Sequence, residues 1–172
     1  MDPVSVSIVI SAPREQVFDY LQDIANHPAF TDHYLVDWHL TRLDSVGRGA
    51  GARFRLKVSG PGSRFGWGDV VLAEVERPHR IVELGRGGKN NRVRTLGVYE
   101  LEPATGGATR ITFTLQTAPA TLADRLTEML GTRRWLRRKN VRALRRLRDL
   151  LEQPLTGGAA PGRGARVTVA GG

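Results

Sequence analysis

Four histidines and a few carboxylates are the side chains of this sequence best suited to chemistry. His33 and His39 lie next to or near Asp32 and Asp37. A histidine beside a carboxylate can act as general base and orienter, or supply two metal ligands. Neither pair has the spacing of a known catalytic or metal motif. His27 and His79 flank prolines in turn-like stretches and are expected at the surface. Asp69 is the most informative carboxylate, because it shares the alternation of Phe65, Trp67, Val71, Ala73 and Val75, opposite Glu74 and Glu76, and would face inward with them. A β-bulge between Gly66 and Gly68 would shift that phase by one residue and turn Asp69 outward. An inward Asp69 needs a partner, and Arg133 or Asn140 could supply one. His39 and Asp69 are therefore the catalytic candidates. The sequence has no cysteine, which excludes disulfides, thiolate nucleophiles and cysteine-bound metal. It has no G-x-S-x-G element, and Gly47-x-Gly49-x-Gly51 joins two strands without opening a helix, so nucleotide fingerprints are missing as well. Neither a cofactor nor a metal is expected.

The elements that would position these residues are legible from periodicity. Residues 121–153 contain no proline and a single glycine, Gly131. Leu122, Leu126, Met129, Leu136, Leu144, Leu147 and Leu151 recur at helical spacing. The spacing predicts a long amphipathic helix whose apolar stripe is broken in the middle by Arg133 and Asn140. Earlier, residues 4–11 alternate as a strand. Ser11 is a cap candidate for a helix over residues 13–23 that buries Val17, Phe18, Leu21 and Ile24, and residues 28–34 form a second short helix or turn. Strands are predicted near residues 35–44, 52–59, 65–76, 80–85, 93–102 and 110–117, separated by glycine-rich turns. Short connections favour an antiparallel meander. Phe54 and Leu56 oppose Arg53, Arg55 and Lys57, and Ile111 and Phe113 oppose Arg110, Thr112 and Thr114. Such one-sided strands need an apolar cover, and the C-terminal helix is the one large stripe available. The predicted fold class is α+β: a curved antiparallel sheet of seven strands around a long helix, with two short helices between strands one and two.

Composition adds limits. The 172 residues carry a formal charge of +9, from 26 basic and 17 acidic side chains. Nine of the basic residues fall between Arg133 and Arg148, so the rest of the chain is balanced and the excess belongs to one helix. That helix is a candidate contact for RNA, an anionic membrane or an acidic partner, although its aromatic interleaving is limited to Trp135. The N-terminal segment lacks a basic n-region and a long apolar run, so a cytoplasmic protein is expected. Residues 1–153 read as one domain, and the glycine- and proline-rich residues 154–172 as a flexible tail.

Residues Ile8-Val9-Ile10-Ser11-Ala12-Pro13-Arg14-Glu15-Gln16-Val17-Phe18-Asp19-Tyr20-Leu21-Gln22-Asp23 and the following Asn26-His27-Pro28 resemble the opening of the helix-grip, or SRPBCC, superfamily. This group includes START lipid-transfer domains, birch-pollen-allergen-like proteins and bacterial polyketide cyclase/dehydrase-like proteins. Arg80-Ile81-Val82, Tyr99-Glu100-Leu101-Glu102-Pro103 and Gly106-Gly107-Ala108-Thr109-Arg110-Ile111 look like its later strands. The resemblance implies a cavity between sheet and helix. From strand phase its walls would come from Phe54, Leu56, Trp67, Val71, Tyr99, Ile111 and Phe113, and from Trp38 or His39 according to the register of strand two. Asp69, Tyr99, Arg133 and Asn140 are the polar candidates. The expected function is binding of a small hydrophobic or amphipathic molecule. The alternatives are a cyclase/dehydrase-like enzyme using the same cavity, and a basic-helix binding module.

Overall fold

Alternating apolar segments pair into one curved antiparallel sheet. The structure, a computed structural model, describes residues 3–57, 66–87, 92–118 and 132–153. In them the strands are β1 (Val4–Ile10), β2 (Leu35–Leu40), β3 (Gly51–Leu56), β4 (Gly66–Glu76), β5 (Arg80–Gly87), β6 (Val93–Pro103) and β7 (Thr109–Ala118). Their order across the sheet is β1-β7-β6-β5-β4-β3-β2. Five consecutive pairs from β2 to β7 are meander neighbours, as short turns demand, and β1 closes the far edge on β7, with Val6 opposite Phe113. Between β1 and β2 lie α1 (Arg14–Leu21), a 3-10 turn (Ile24–Asn26) and α2 (His27–Thr31). The last element is α3 (Arg133–Glu152). This is the helix-grip arrangement predicted from the strand and helix patterns. The first part of the predicted long helix, with Leu122, Leu126, Met129 and Gly131, lies outside the described residues, as do the segment 154–172 and the Gly60-Pro61-Gly62 turn.

Helix α3 buries Leu136, Asn140, Ala143, Leu144 and Leu147 and packs on β1 and α2. These are three or four residues apart, or on multiples of that step, the spacing of a single helix face. Leu144 and Leu147 join Val6, Ile10, Phe18, Phe30, Leu72, Ile81 and Ile111 in the core. Each such side chain contributes about 1.5–3 kcal/mol by leaving water. The Ser11 hydroxyl does not cap α1, whose first turn begins after Pro13 without a side-chain cap. The Ser11 backbone N–H instead donates to Glu152 Oε1 at 2.7 Å, tying the end of β1 to the end of α3.

The end of α1 decides how the next segment is placed. A helix leaves its last carbonyls without partners. Here the Asn26 side chain donates to Tyr20 O at 3.0 Å, and His27 Nε2 lies 2.8 Å from Leu21 O. The Asn-His-Pro sequence is thus a side-chain cap, and it draws His27 inward to 3% exposure. The expectation of a surface His27 is corrected: an imidazole that satisfies a buried helix end cannot remain in solvent.

Strand β4 changes phase midway. Its pairing with β3 places Gly66, Gly68 and Val70 opposite Leu56, Phe54 and Ala52, while Trp67, Asp69 and Val71 lie opposite Arg55, Arg53 and Gly51. A register shift between Leu72 and Glu74 then returns Val75, opposite Ile81, to the inner face. The bulge is therefore at Ala73 and not beside Gly66. One alternation cannot be carried along the whole strand. Gly68 belongs to the same arrangement: a Cβ there would meet the Phe54 ring at 2.7 Å, so glycine leaves room for the ring.

Candidate functional site

The concave face of the sheet is apolar at its ends and polar at its centre. Glu83 on β5 pairs with Gly97 on β6, and Ile81 pairs with Tyr99, so Glu83 and Tyr99 project to the same face, diagonal to each other. Gly97 makes the space: a Cβ there would lie 3.1 Å from Glu83 Oε2 and 3.2 Å from the Phe113 ring. From the helical side His27 brings Nδ1 to 3.4 Å from Glu83 Oε1, with 4% and 13% of the two side chains exposed. Because His27 Nε2 must carry a hydrogen to bond Leu21 O, Nδ1 is the ring nitrogen turned toward the carboxyl, without forming a hydrogen bond to it. The imidazole ring lies 5.3 Å from Phe30, 6.2 Å from Trp38 and 6.3 Å from Tyr99, and Tyr99 lies 4.4 Å from Phe113.

A second polar pair faces this one. Tyr34, just before β2, donates its hydroxyl to Asn140 Oδ1 on α3 at 3.2 Å. Asn140 is 1% exposed, so the break in the apolar stripe of α3 is a buried amide. Among the described residues, Glu83 Oε1, Asn140 Nδ2 and His33 Nδ1 are buried without a hydrogen-bond partner. Such groups are rare in native interiors, and each costs about 1–3 kcal/mol.

Electrostatics follow from this burial. Desolvation pushes the Glu83 carboxyl above its ordinary value, and the nearby His27 pulls it partly back. Tyr99 is raised by burial and then by the negative charge of Glu83 and by Tyr34, and Tyr34 by burial and then Glu83. Both phenols therefore remain protonated donors. His33, whose Nε2 lies 3.1 Å from Lys139 O, is lowered chiefly by burial, against that hydrogen bond and with help from the charges of Arg142, Lys139 and Arg146. The site thus holds an imidazole facing a carboxyl, two phenols and an amide among aromatic rings. It can orient a polar substituent of a ligand and can move a proton.

The sequence-derived candidates divide between the two faces. Phe54, Leu56, Tyr99, Ile111 and Phe113 lie on the inner face, as does Asn140 on the helix opposite. Trp67, Asp69 and Val71 are on the outer face, which corrects their inward placement. There Asp69 ion-pairs with Arg53 at 2.7 Å, and Trp67, 44% exposed, is flanked by the Arg53 and Arg55 guanidinium groups. His39 pairs with Arg53 in register and stands 6.3 Å from Trp67, so it too faces outward. Trp38 is the inward residue, because a bulge at Asp37, which takes a φ of 52°, shifts strand two. Arg133 is exposed at the start of α3. Missed by sequence reading were His27, Tyr34 and Glu83. For Glu83 the signal was ambiguous, since Val82 and Leu84 suggest an apolar phase opposite to its own.

A groove of about 370 Å³ opens beside the edge strand β2, lined by Pro28, Leu35, Trp38, His39 and Trp67 among others. Trp38 lies between this groove and His27. No helix of the described residues is long and apolar enough to cross a membrane, and among them no three His, Cys, Asp or Glu side chains converge on a metal position.

Several solved structures share this fold. The protein TTHA0849 from Thermus thermophilus is 15% identical, with 87% of this chain and 96% of that one covered at a TM-score of 0.67. The KanY protein is 16% identical, with 87% and 97% covered at 0.69. DynU16, from the dynemicin biosynthetic locus, is 18% identical, with 89% and 48% covered at 0.58. At these identities the likeness is one of fold. No curated protein matches the chain in sequence. The model of the family described as polyketide cyclase / dehydrase and lipid transport matches residues 1–152, and the chain belongs to that family.

Proposed function

We propose that this protein binds a small, largely apolar molecule with polar substituents between the sheet and α3. The observation that carries this reading is the buried group of His27, Glu83, Tyr99, Tyr34 and Asn140 on an otherwise apolar face, a pattern of few polar groups among hydrophobic walls that suits a ligand site. The groove beside Trp38 would be the entrance. Family membership agrees with ligand binding or a cyclase-like role in general terms. Native mass spectrometry of protein from its own host, with extraction of bound material, tests the reading. A co-purifying amphipathic molecule that is lost from Gly97→Leu is the expected result. A ligand retained by that variant, or a bare mass combined with failure to bind apolar probes, would rule the site out.

A second reading, acid-base catalysis on the bound molecule, is favoured by the His27–Glu83 pair, an imidazole nitrogen 3.4 Å from a buried carboxyl. Turnover of the extracted ligand that disappears in His27→Gln while binding persists would support it. Contact of the arginine face of α3 with an anionic membrane or RNA is a separate proposal. It is supported by exposed Arg134, Arg137, Arg138, Arg142 and Arg145, none of them ion-paired among the described residues.

A further inference from the structure

Several buried polar groups among the described residues serve the backbone. Thr31 Oγ1 donates to His27 O, Thr109 Oγ1 donates to Ala12 O at 2.7 Å, and His27 Nε2 serves the end of α1. Against that background, Glu83 Oε1 and Asn140 Nδ2 are, with His33 Nδ1, buried atoms without partners among the described residues; Glu83 Oε1 is an acceptor on the sheet and Asn140 Nδ2 a donor on the facing helix.

Resting on the ligand-binding reading, we infer that these two atoms select the ligand. The molecule that fits presents a hydroxyl hydrogen to Glu83 and a carbonyl-type acceptor to Asn140, on a flat apolar body. Three further observations agree. Gly97 leaves room for the carboxyl on the inner face, because a side chain there would crowd both Glu83 and Phe113. The rings of Trp38 and Tyr99 stand edge-on to His27, and Phe113 packs on Tyr99, an aromatic setting that suits a planar conjugated frame. His27 Nδ1 stands 3.4 Å from Glu83 Oε1, so an ammonium head would compete with the imidazole for the carboxyl, and a carboxylate ligand would be repelled by Glu83. A neutral hydroxyl does neither.

The test uses three related probes on the full chain: 6-acetyl-2-naphthol, its methyl ether, and 2-acetylnaphthalene, with binding followed by fluorescence. Wild type is expected to prefer the naphthol over the ether by at least about tenfold, the effect of one hydrogen bond to a charged group. Glu83→Leu should abolish the preference while keeping affinity for 2-acetylnaphthalene, and should melt at or above the wild-type temperature because an unpartnered carboxyl has been removed. Glu83→Gln, which preserves shape, should reduce the preference without loss of fold. With 2-naphthol as a fourth probe, loss of the acetyl group should weaken binding to wild type but not to Asn140→Leu. Equal binding of naphthol and ether to wild type would overturn the inference while leaving the binding reading intact. So would a Glu83→Leu variant that is less stable than wild type and still selective. Failure of every probe to bind would remove both.

Discussion

Glu83 and His27 illustrate how neighbours decide where a polar residue can be buried. A glutamate in a sheet of this composition ordinarily points to water. Here glycine at position 97, the capping geometry of His27 and the aromatic rings around it make an interior position tolerable. The tolerance has a pH signature. Burial raises the Glu83 carboxyl above its ordinary 4.5, so the folded chain holds a proton that the unfolded chain releases. Its contribution to stability is fully present below about pH 4.5 and is lost as pH rises through the raised value. Glu83→Gln, fixed in the neutral form, should lack that slope. Urea unfolding of both proteins between pH 4 and pH 8 checks it: the stability gap should move in favour of the variant with rising pH, and parallel curves would show that Glu83 titrates as it does in the unfolded chain.

At the scale of elements, α3 and β4 carry the argument. The apolar stripe of α3 docks on β1 and α2, and Leu147 within it is fully buried. Leu147→Ala should destabilise the fold by about 2–5 kcal/mol, read as a lower urea midpoint at unchanged slope. A loss below about 1 kcal/mol would mean that α3 is not held where its stripe places it. Asn140 in the same stripe is retained at the expense of apolar contact, which fits a position shaped for a ligand or for Tyr34 rather than for packing. Strand β4 shows the opposite dependence. Trp67 and Val75 share an alternation in sequence but face opposite sides, because Ala73 is the extra residue of a bulge. The outward Trp67 then finds Arg53 and Arg55, whose guanidinium groups lie 6.0 and 5.7 Å from its ring.

Across the whole molecule, charge is segregated as the composition suggested. Between Arg133 and Arg148 no acid interrupts the run. Arg146 pairs with Asp32, and Arg148 with Asp149 and Glu152, while Arg134, Arg138, Arg142 and Arg145 are exposed along the helix at three- and four-residue steps. Like charges at such spacing repel. Salt that shortens the Debye length from about 30 Å to about 3 Å should therefore raise the melting temperature, and Arg138→Gln with Arg142→Gln should flatten the response. A melting temperature that falls with added salt would show that attractive pairs dominate this face. A neutral ligand in the inner site should bind with little salt dependence in either protein.

The order of elements, the antiparallel sheet, the α3 stripe and the inward positions of Phe54, Leu56, Tyr99, Ile111, Phe113 and Asn140 were all legible in the sequence. These depend on periodicity within a segment, which local sterics and burial impose residue by residue. What the tertiary structure alone decided depends on relations between segments. The bulge at Ala73 is defined by the pairing of β4 with β5, and it sends Trp67, Asp69 and Val71 outward. The inward turn of His27 is set by the orphan carbonyls of α1, and the choice of Trp38 over His39 by the register shift of β2 on β3. The meeting of His27 and Glu83, 56 positions apart in the chain, required all of these at once. Periodicity assigns a face to a side chain, but only packing can tell which polar groups will find each other there.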